Sequence, residues 1–300
     1  MKLYILTKEV FVLKKVLLRI LCVFLVIVSF SLILYPFISN YLMSLNDAGK
    51  IMEFEKSVEN IDKKTIESIF EDALKYNQKF LGVVVITDPF DPTFQPETDV
   101  EYENILNINN DGMMGYVEIP VINVSLPIFH GTSSKVLEKG IGHLQNTSLP
   151  VGGENSHSVL TGHTAYSSAK LFTDINQLVT GDIFYVHVLD EILAYEVDSI
   201  KVVLPNQTDD LRIVMGEDLV TLVTCTPYGV NTHRLLVRGR RIPYEKTEER
   251  ISVNDRVIES TWMKEYKYAL KIGAIILLAI IVFCVITKLV IKVRKHRKST

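Results

Sequence analysis

Arg234 lies nine positions after Cys225 in "TLVTCTPYGVNTHRLLVRG", and both residues border apolar runs that read as strands. The other two cysteines, Cys22 and Cys284, sit inside long hydrophobic segments, so Cys225 has no disulfide partner in its own region. A free thiol is in most settings a small buried hydrophobe. It becomes a nucleophile when a base or a positive field favours the thiolate. Between the hydrophobic segments are six histidines: His130, His143, His157, His163, His187 and His233. His187 falls within a strand-like run, where a packed or surface ring is the simplest reading. His233 adjoins Arg234, and in an extended chain their side chains point to opposite faces. His163 closes "SVLTGH" directly after a glycine, where a loop can present a ring at a rim. A surface ion pair is the usual fate of an arginine. At the start of an apolar strand, however, Arg234 would need an anionic partner, and a tetrahedral oxyanion is one. Residue type and spacing alone leave both readings open.

Two apolar segments bracket these residues. "ILCVFLVIVSFSLILYPFI" runs from Ile20 to Ile38 without a charge, and "IGAIILLAIIVFCVIT" from Ile272 to Thr287. Each approaches the roughly 20 residues that cross a hydrocarbon core. The first is longer than the roughly 7–15 residues of a signal-peptide h-region and lacks a small-x-small cleavage site, so it reads as an uncleaved anchor. Lys2, Lys8, Lys14, Lys15 and Arg19 precede it, and Lys288, Lys292, Arg294, Lys295, Arg297 and Lys298 follow the second segment. Basic flanks stay in the cytoplasm, which places both termini inside and the central part outside. That part, residues 40–268, carries 20 Lys and Arg against 34 Asp and Glu, a net charge of −14 hidden within the total of −3. Such a charge excludes nucleic acid as a partner, since that binding relies on clustered Lys and Arg.

The central part is long enough for one well-cored domain. "MEFEKSVENIDKKTIESIFEDALKYNQKF", from Met52 to Phe80, has helical spacing of apolar residues and no Pro or Gly, so it predicts one or two helices. "ITDPFDPTFQPETD" has three prolines and must be a loop, long enough to suggest a function. From Gly115 the texture changes to short runs rich in Val, Ile, Leu and Tyr: "GYVEIPVINVSLPIF", "SHSVLTGH", "GDIFYVHVLD", "EILAYEVDSIKVVL", "DLVTLVTC" and "HRLLVRGRRI". "AKLFTDINQLVTGD" among them reads as a short helix or turn ending at Gly181. Six or more such strands predict an antiparallel barrel or sandwich. "LVTLVTC" is apolar on both faces, so its periodicity does not say where Cys225 points.

The strand "TLVTC" with its arginine nine residues on, preceded 62 positions earlier by His163 in "SVLTGH", resembles the signature of the sortase family. "GIGHLQNTSLPVGG" and "AKLFTDINQLVTGD" are similar to family sequence as well, and the likeness covers roughly Lys75 to Ile242. "TDPFDP" resembles the lid of class C sortases, in which an Asp-Pro-aromatic tripeptide, here Asp88, Pro89 and Phe90, covers the active site. A second membrane span is another mark of that class. After His163 this chain has "TAYSSAK" where the class usually continues Arg-Gly-Leu, a departure beside the histidine.

The resemblance implies a mainly β fold, a sortase-like closed β-barrel with short helices, an N-terminal helical segment, a lid loop and two flanking transmembrane helices. The expected division is a cytoplasmic N-terminus (1–19), a span (20–38), a helical extracellular segment (39–80) and a lid region (81–110). The barrel (111–245), a juxtamembrane linker (246–268), a second span (269–291) and a basic tail (292–300) follow. It also implies Cys225 as nucleophile, His163 as general acid and base, Arg234 as oxyanion and substrate stabiliser, and no metal or organic cofactor. The implied partners are the membrane and pilins of a Gram-positive cell surface, bearing an LPXTG-like sorting signal and a lysine acceptor. A housekeeping sortase acting on cell-wall peptide is the neighbouring alternative. In a papain-like hydrolase the cysteine precedes the histidine, the reverse of the order here. In a non-enzymatic barrel receptor or adhesin, Cys225 would be inert.

Overall fold

Short β-branched and aromatic runs separated by Gly, Pro and Asn form eight strands: β1 (Met113–Ile119), β2 (Val124–His130), β3 (Ile141–His143), β4 (Ser156–Thr161), β5 (Ile183–Val188), β6 (Glu191–Val203), β7 (Asp218–Thr226) and β8 (His233–Ile242). They close into a barrel in the order β1-β2-β3-β4-β7-β8-β6-β5. The computed structural model describes residues 2–81, 86–91, 99–166, 169–244 and 258–297. The Cys22 and Cys284 side chains, residues 92–98 of the expected lid region, residues 246–257 of the expected 246–268 linker and the last three residues of the basic tail lie outside them.

The barrel is not purely antiparallel, which corrects the expectation from strand composition. β2 runs parallel to β3, and β4 runs parallel to β7. Parallel neighbours need a crossover, which the connection carrying α4 (Ser134–Leu137) supplies between β2 and β3. Strand composition carries no signal for direction.

The double-sided apolar character of β7 now has a cause. Val220 and Leu222 face the main core with Leu235 and Val237 of β8. Val223 and Leu236 project to the other face, where they join Leu144, Val159 and Leu211 in a second cluster against which Ile86 and Phe90 pack. Both faces are covered, so both are apolar. Cys225, two residues beyond Val223, lies on this second face.

α1 (Lys2–Glu59) is one continuous helix that contains the first apolar segment and the start of the expected extracellular segment. α2 (Lys63–Asn77) follows, its N-terminus capped by Asp62, which accepts a hydrogen bond from Thr65 N at 3.1 Å. Phe54 and Val58 of α1 and Ile66, Ala73 and Tyr76 of α2 are buried in the main core. α3 (Val100–Asn104) closes the lid region and α5 (Thr261–Arg297) ends the fold. "AKLFTDINQLVTGD" forms a single 3-10 turn at Ile175–Gln177 and reaches Gly181 at φ +95°, the left-handed conformation glycine accepts without strain. Among the described residues one helix, within Arg19–Glu59, is long and apolar enough to cross a membrane. Of the two spans expected, the structure thus supports the first, while the second apolar segment is helical within α5.

Candidate functional site

His163 and Cys225 are brought level by the parallel pairing of β4 and β7. Thr161 stands opposite Val223, Gly162 N donates to Val223 O at 3.0 Å, and Thr224 Oγ1 donates to Gly162 O at 2.7 Å. That register, carried two residues on, sets position 163 beside position 225. Gly162 permits the close approach: a Cβ there would lie 2.6 Å from Ile141 Cδ1 and 2.8 Å from the Phe172 ring. On the other side of β7, antiparallel β8 places Arg234 directly opposite Cys225. Residues paired in this way share a face of the sheet. All three candidates therefore meet at one end of the barrel.

The Asp88-Pro89-Phe90 tripeptide lies on this face. Arg234 donates from Nε to Asp88 Oδ1 at 2.8 Å and from Nη2 to Asp88 Oδ2 at 2.6 Å, a two-point ion pair in which both side chains are largely buried. Its Nη1 donates to the carbonyls of Asn231 and His233, each at 3.1 Å. The guanidinium stands 5.1 Å from the centre of the Phe90 ring, which in turn lies 5.6 Å from the His163 ring. Tyr166 also stacks on His163, with ring centres 5.6 Å apart and planes at 12°. Pro89 is buried, and the loop is tied down by Asp91 N donating to Asp88 O and by Thr208 Oγ1 donating to Ile86 O. A cavity of about 460 Å³ opens alongside, lined by Pro89, Phe90, Glu103, His130, Gln145 and His163 among others.

The electrostatics follow from this cover. The Cys225 thiol is pushed up to about 11, chiefly by burial and in addition by Asp88, against the downward pull of Arg234. Burial also holds the His163 imidazolium below its ordinary range, with Glu138 opposing. For Arg234 burial works against the charge, yet the Asp88 hydrogen bonds and the two neighbouring acids keep its pKa above the ordinary value. At neutral pH the site thus rests as thiol and neutral imidazole, with the arginine's donors occupied by a carboxylate.

The other five histidines are hydrogen-bonded into the fold. His143 is bound by Tyr102 Oη and Ser148 O, and His157 by Arg212 O and Thr221 Oγ1. His130 contacts the Gly112 and Ile105 carbonyls, His187 meets Glu118 while stacking on Tyr116, and His233 meets Thr232. The residue missed from sequence is Tyr166, which belongs to the departure "TAYSSAK"; an aromatic three positions after the histidine was its only signal. Among the described residues, no cluster of three or more His, Cys, Asp or Glu is arranged to hold a metal ion.

The chain, a closed eight-stranded barrel with Cys225, His163 and Arg234 meeting at one end, belongs to the sortase family of cysteine transpeptidases. The family model of the sortase domain matches residues 117–242. Its structural neighbours are class C enzymes. Sortase C of Streptococcus pneumoniae is 46% identical at a TM-score of 0.60, over 65% of this chain and 97% of that one. Sortase C-1 of Actinomyces oris is 52% identical at 0.57, over 60% and 99%. Sortase A of Streptococcus agalactiae is 26% identical over 216 residues, 70% of this chain and 78% of its own.

Proposed function

We propose that this protein is a membrane-anchored class C sortase that polymerises pilins. The observation that carries the reading is the two-point hold of Asp88 on Arg234 next to Cys225, with Phe90 over His163. A carboxylate sits where a developing oxyanion would be received, as a self-occupied site requires. Pilus-related sortase C of group B Streptococcus, 41% identical at a TM-score of 0.60 over 65% of this chain and 97% of that one, supports the substrate class.

With Asp88, Pro89 and Phe90 swung away, the carbonyl of the threonine in an LPXTG-like sorting signal takes the place of the Asp88 carboxylate. Cys225 Sγ attacks that carbonyl carbon as His163 receives the thiol proton. Arg234 stabilises the oxyanion with directed donors. The C–N bond to the following glycine breaks, and His163 gives its proton to the departing amine. A thioester remains on Cys225. The ε-amine of a lysine on the next pilin attacks the thioester, His163 takes its proton, and an isopeptide bond forms as the sulfur leaves. The barrel of residues 111–245 carries this chemistry without metal or cofactor. The segments 20–38 and 269–291 both span the membrane, with both termini in the cytoplasm and the barrel on the outer surface of a Gram-positive cell. Confinement to the surface that holds the pilin precursors raises the effective concentration of both substrates.

The test is mass spectrometry of full-length protein with the lid opened, after incubation with an LPXTG-containing peptide. The expected result is a thioacyl adduct on Cys225 that a lysine peptide resolves, and no adduct in Cys225→Ala. An adduct on the alanine variant, or none on the parent, would overturn the assignment. Resolution by a cell-wall amine and not by lysine would point instead to a housekeeping sortase.

A further inference from the structure

Two features outside the groove fix how the long helices meet the barrel. α1 leaves its apolar run at Ile38 and passes the β1–β2 turn, where Asn40, Met43 and Asp47 line a cavity of about 440 Å³ with Pro120, Asn123 and Val124. Further along, Glu55 accepts a 2.6 Å hydrogen bond from Tyr116 Oη of β1. The helix thus climbs the barrel wall from the β1–β2 turn. β2 is parallel to β3 and β3 is antiparallel to β4, so β2 begins at the end of the barrel where β4 finishes. That is the end occupied by His163 and Cys225.

α5 starts from the same end. Thr261 N donates to Asp174 Oδ1 at 2.7 Å, and Lys264 Nζ donates to Gln177 Oε1 at 3.1 Å. Asp174 is fully buried in the segment that follows His163. It also binds Lys170 at 2.9 Å, and Lys170 donates to Ile122 O in the β1–β2 turn at 2.8 Å. α5 is in turn fastened to α1. Tyr266 Oη donates to Ile33 O at 2.8 Å, and the Phe37 ring meets both Trp262 and Tyr266 edge-on at 5.1 Å. Exposed Tyr35, Tyr41 and Tyr268 lie close to these residues in sequence, and the apolar side chains of α1 beyond the junction, from Leu34 back to Leu17, are mostly exposed. Trp and Tyr with an apolar body and a polar tip are enriched at the membrane–water boundary.

We propose that the Phe37–Trp262–Tyr266 junction is a bilayer-interface anchor that turns the Cys225–His163 end of the barrel toward the membrane. Ten residues of helix separate Phe37 from Asp47, about 15 Å of rise. The groove mouth therefore stands within about two to three helical turns of the headgroups. This deepens, and rests on, the two-pass reading given above.

Trp262 is the only tryptophan in the chain, so its fluorescence reports the junction directly. In the full-length protein reconstituted into phosphatidylcholine–phosphatidylglycerol vesicles, acyl chains brominated near the headgroup should quench Trp262 more than chains brominated near the terminal methyl, and aqueous acrylamide should quench it weakly. Strong acrylamide quenching without a bromolipid effect would put the junction in water. Protection from both quenchers would put it in a contact with a second copy. Either result overturns the proposal, as does strongest quenching by deep bromines. Orientation is read in a Cys22→Ser, Cys284→Ser, Asp88→Ala background carrying a thiol-reactive donor on Cys225, with acceptor-labelled headgroups in the vesicle. Transfer should be severalfold stronger than from a donor on Asp190→Cys, at the β5–β6 hairpin of the opposite end, in the same background with Cys225→Ala. Equal or reversed efficiencies would overturn the orientation. Neither readout requires turnover, so failure here is distinguishable from failure of thioacyl formation on Cys225.

Discussion

Removing the Asp88 carboxylate should turn a resting thiol into a reactive one, and the size of the effect follows from the geometry. Cys225 is held at about 11 against an ordinary 9.0, with Asp88 pushing in the same direction as burial and Arg234 pulling against both. Asp88→Ala deletes the nearby negative charge and frees the two arginine donors now committed at 2.8 and 2.6 Å. It also releases the loop, which lets water into the groove. If the thiol returns only to its ordinary value, the thiolate fraction at neutral pH rises about a hundredfold. A less basic thiolate is a weaker nucleophile, with a Brønsted slope of about 0.4–0.5, so the observed alkylation rate should rise about tenfold. The sign is fixed because the thiolate is the reactive form: lowering the pKa shifts the whole rate profile to lower pH. The assay is iodoacetamide labelling from pH 6 to 10, quantified on the Cys225 peptide so that Cys22 and Cys284 do not contribute. Stability should fall by less than the roughly 3–5 kcal/mol typical of orphaning one partner of a buried pair, because the freed loop lets Arg234 reach solvent. A labelling rate within about twofold of the parent, with an unshifted profile, would refute the claim that Asp88 holds the thiol up.

Arg234→Lys, measured in the lid-opened background, should lose about a hundredfold or more in acylation rate, because lysine keeps the charge but not the planar fork. Peptide kinetics within about threefold of the parent would show that charge alone suffices. Acid should destabilise the fold through His143 and His157, both neutral and pushed down to about 4 by burial. Between their ordinary 6.5 and about 4 the unfolded chain takes up protons that the folded chain refuses, so stability drops as pH falls, by about 1.4 kcal/mol per unit per histidine. Urea unfolding of full-length protein in detergent at pH 7, 6 and 5 should show a shallower pH slope for His157→Gln. An unchanged slope would mean that His157 does not carry that linkage.

The candidate residues were legible because their signals are local, although type and spacing left their roles open and the likeness to sortases assigned them. A cysteine ending an apolar run, an arginine nine residues on, a histidine behind a glycine and a Pro-rich loop each impose a constraint on a few neighbouring residues. The helices from Met52 to Phe80 and the short strands were readable for the same reason, since 3.6- and 2-residue periods arise within a single element. Strand direction was not readable. The parallel pairing that sets His163 level with Cys225 depends on which chain crosses over which, and alternation carries no sign of direction. Nor could "LVTLVTC" say where the thiol points, because two covered faces leave the same apolar pattern. The protonation states were decided only in three dimensions as well. Asp88 acts on Arg234 across 146 residues of chain and on Cys225 from a similar distance in sequence, and burial is created by the closed barrel and the loop packed over it together. Residue chemistry is written locally, but field and solvation are properties of everything packed around it.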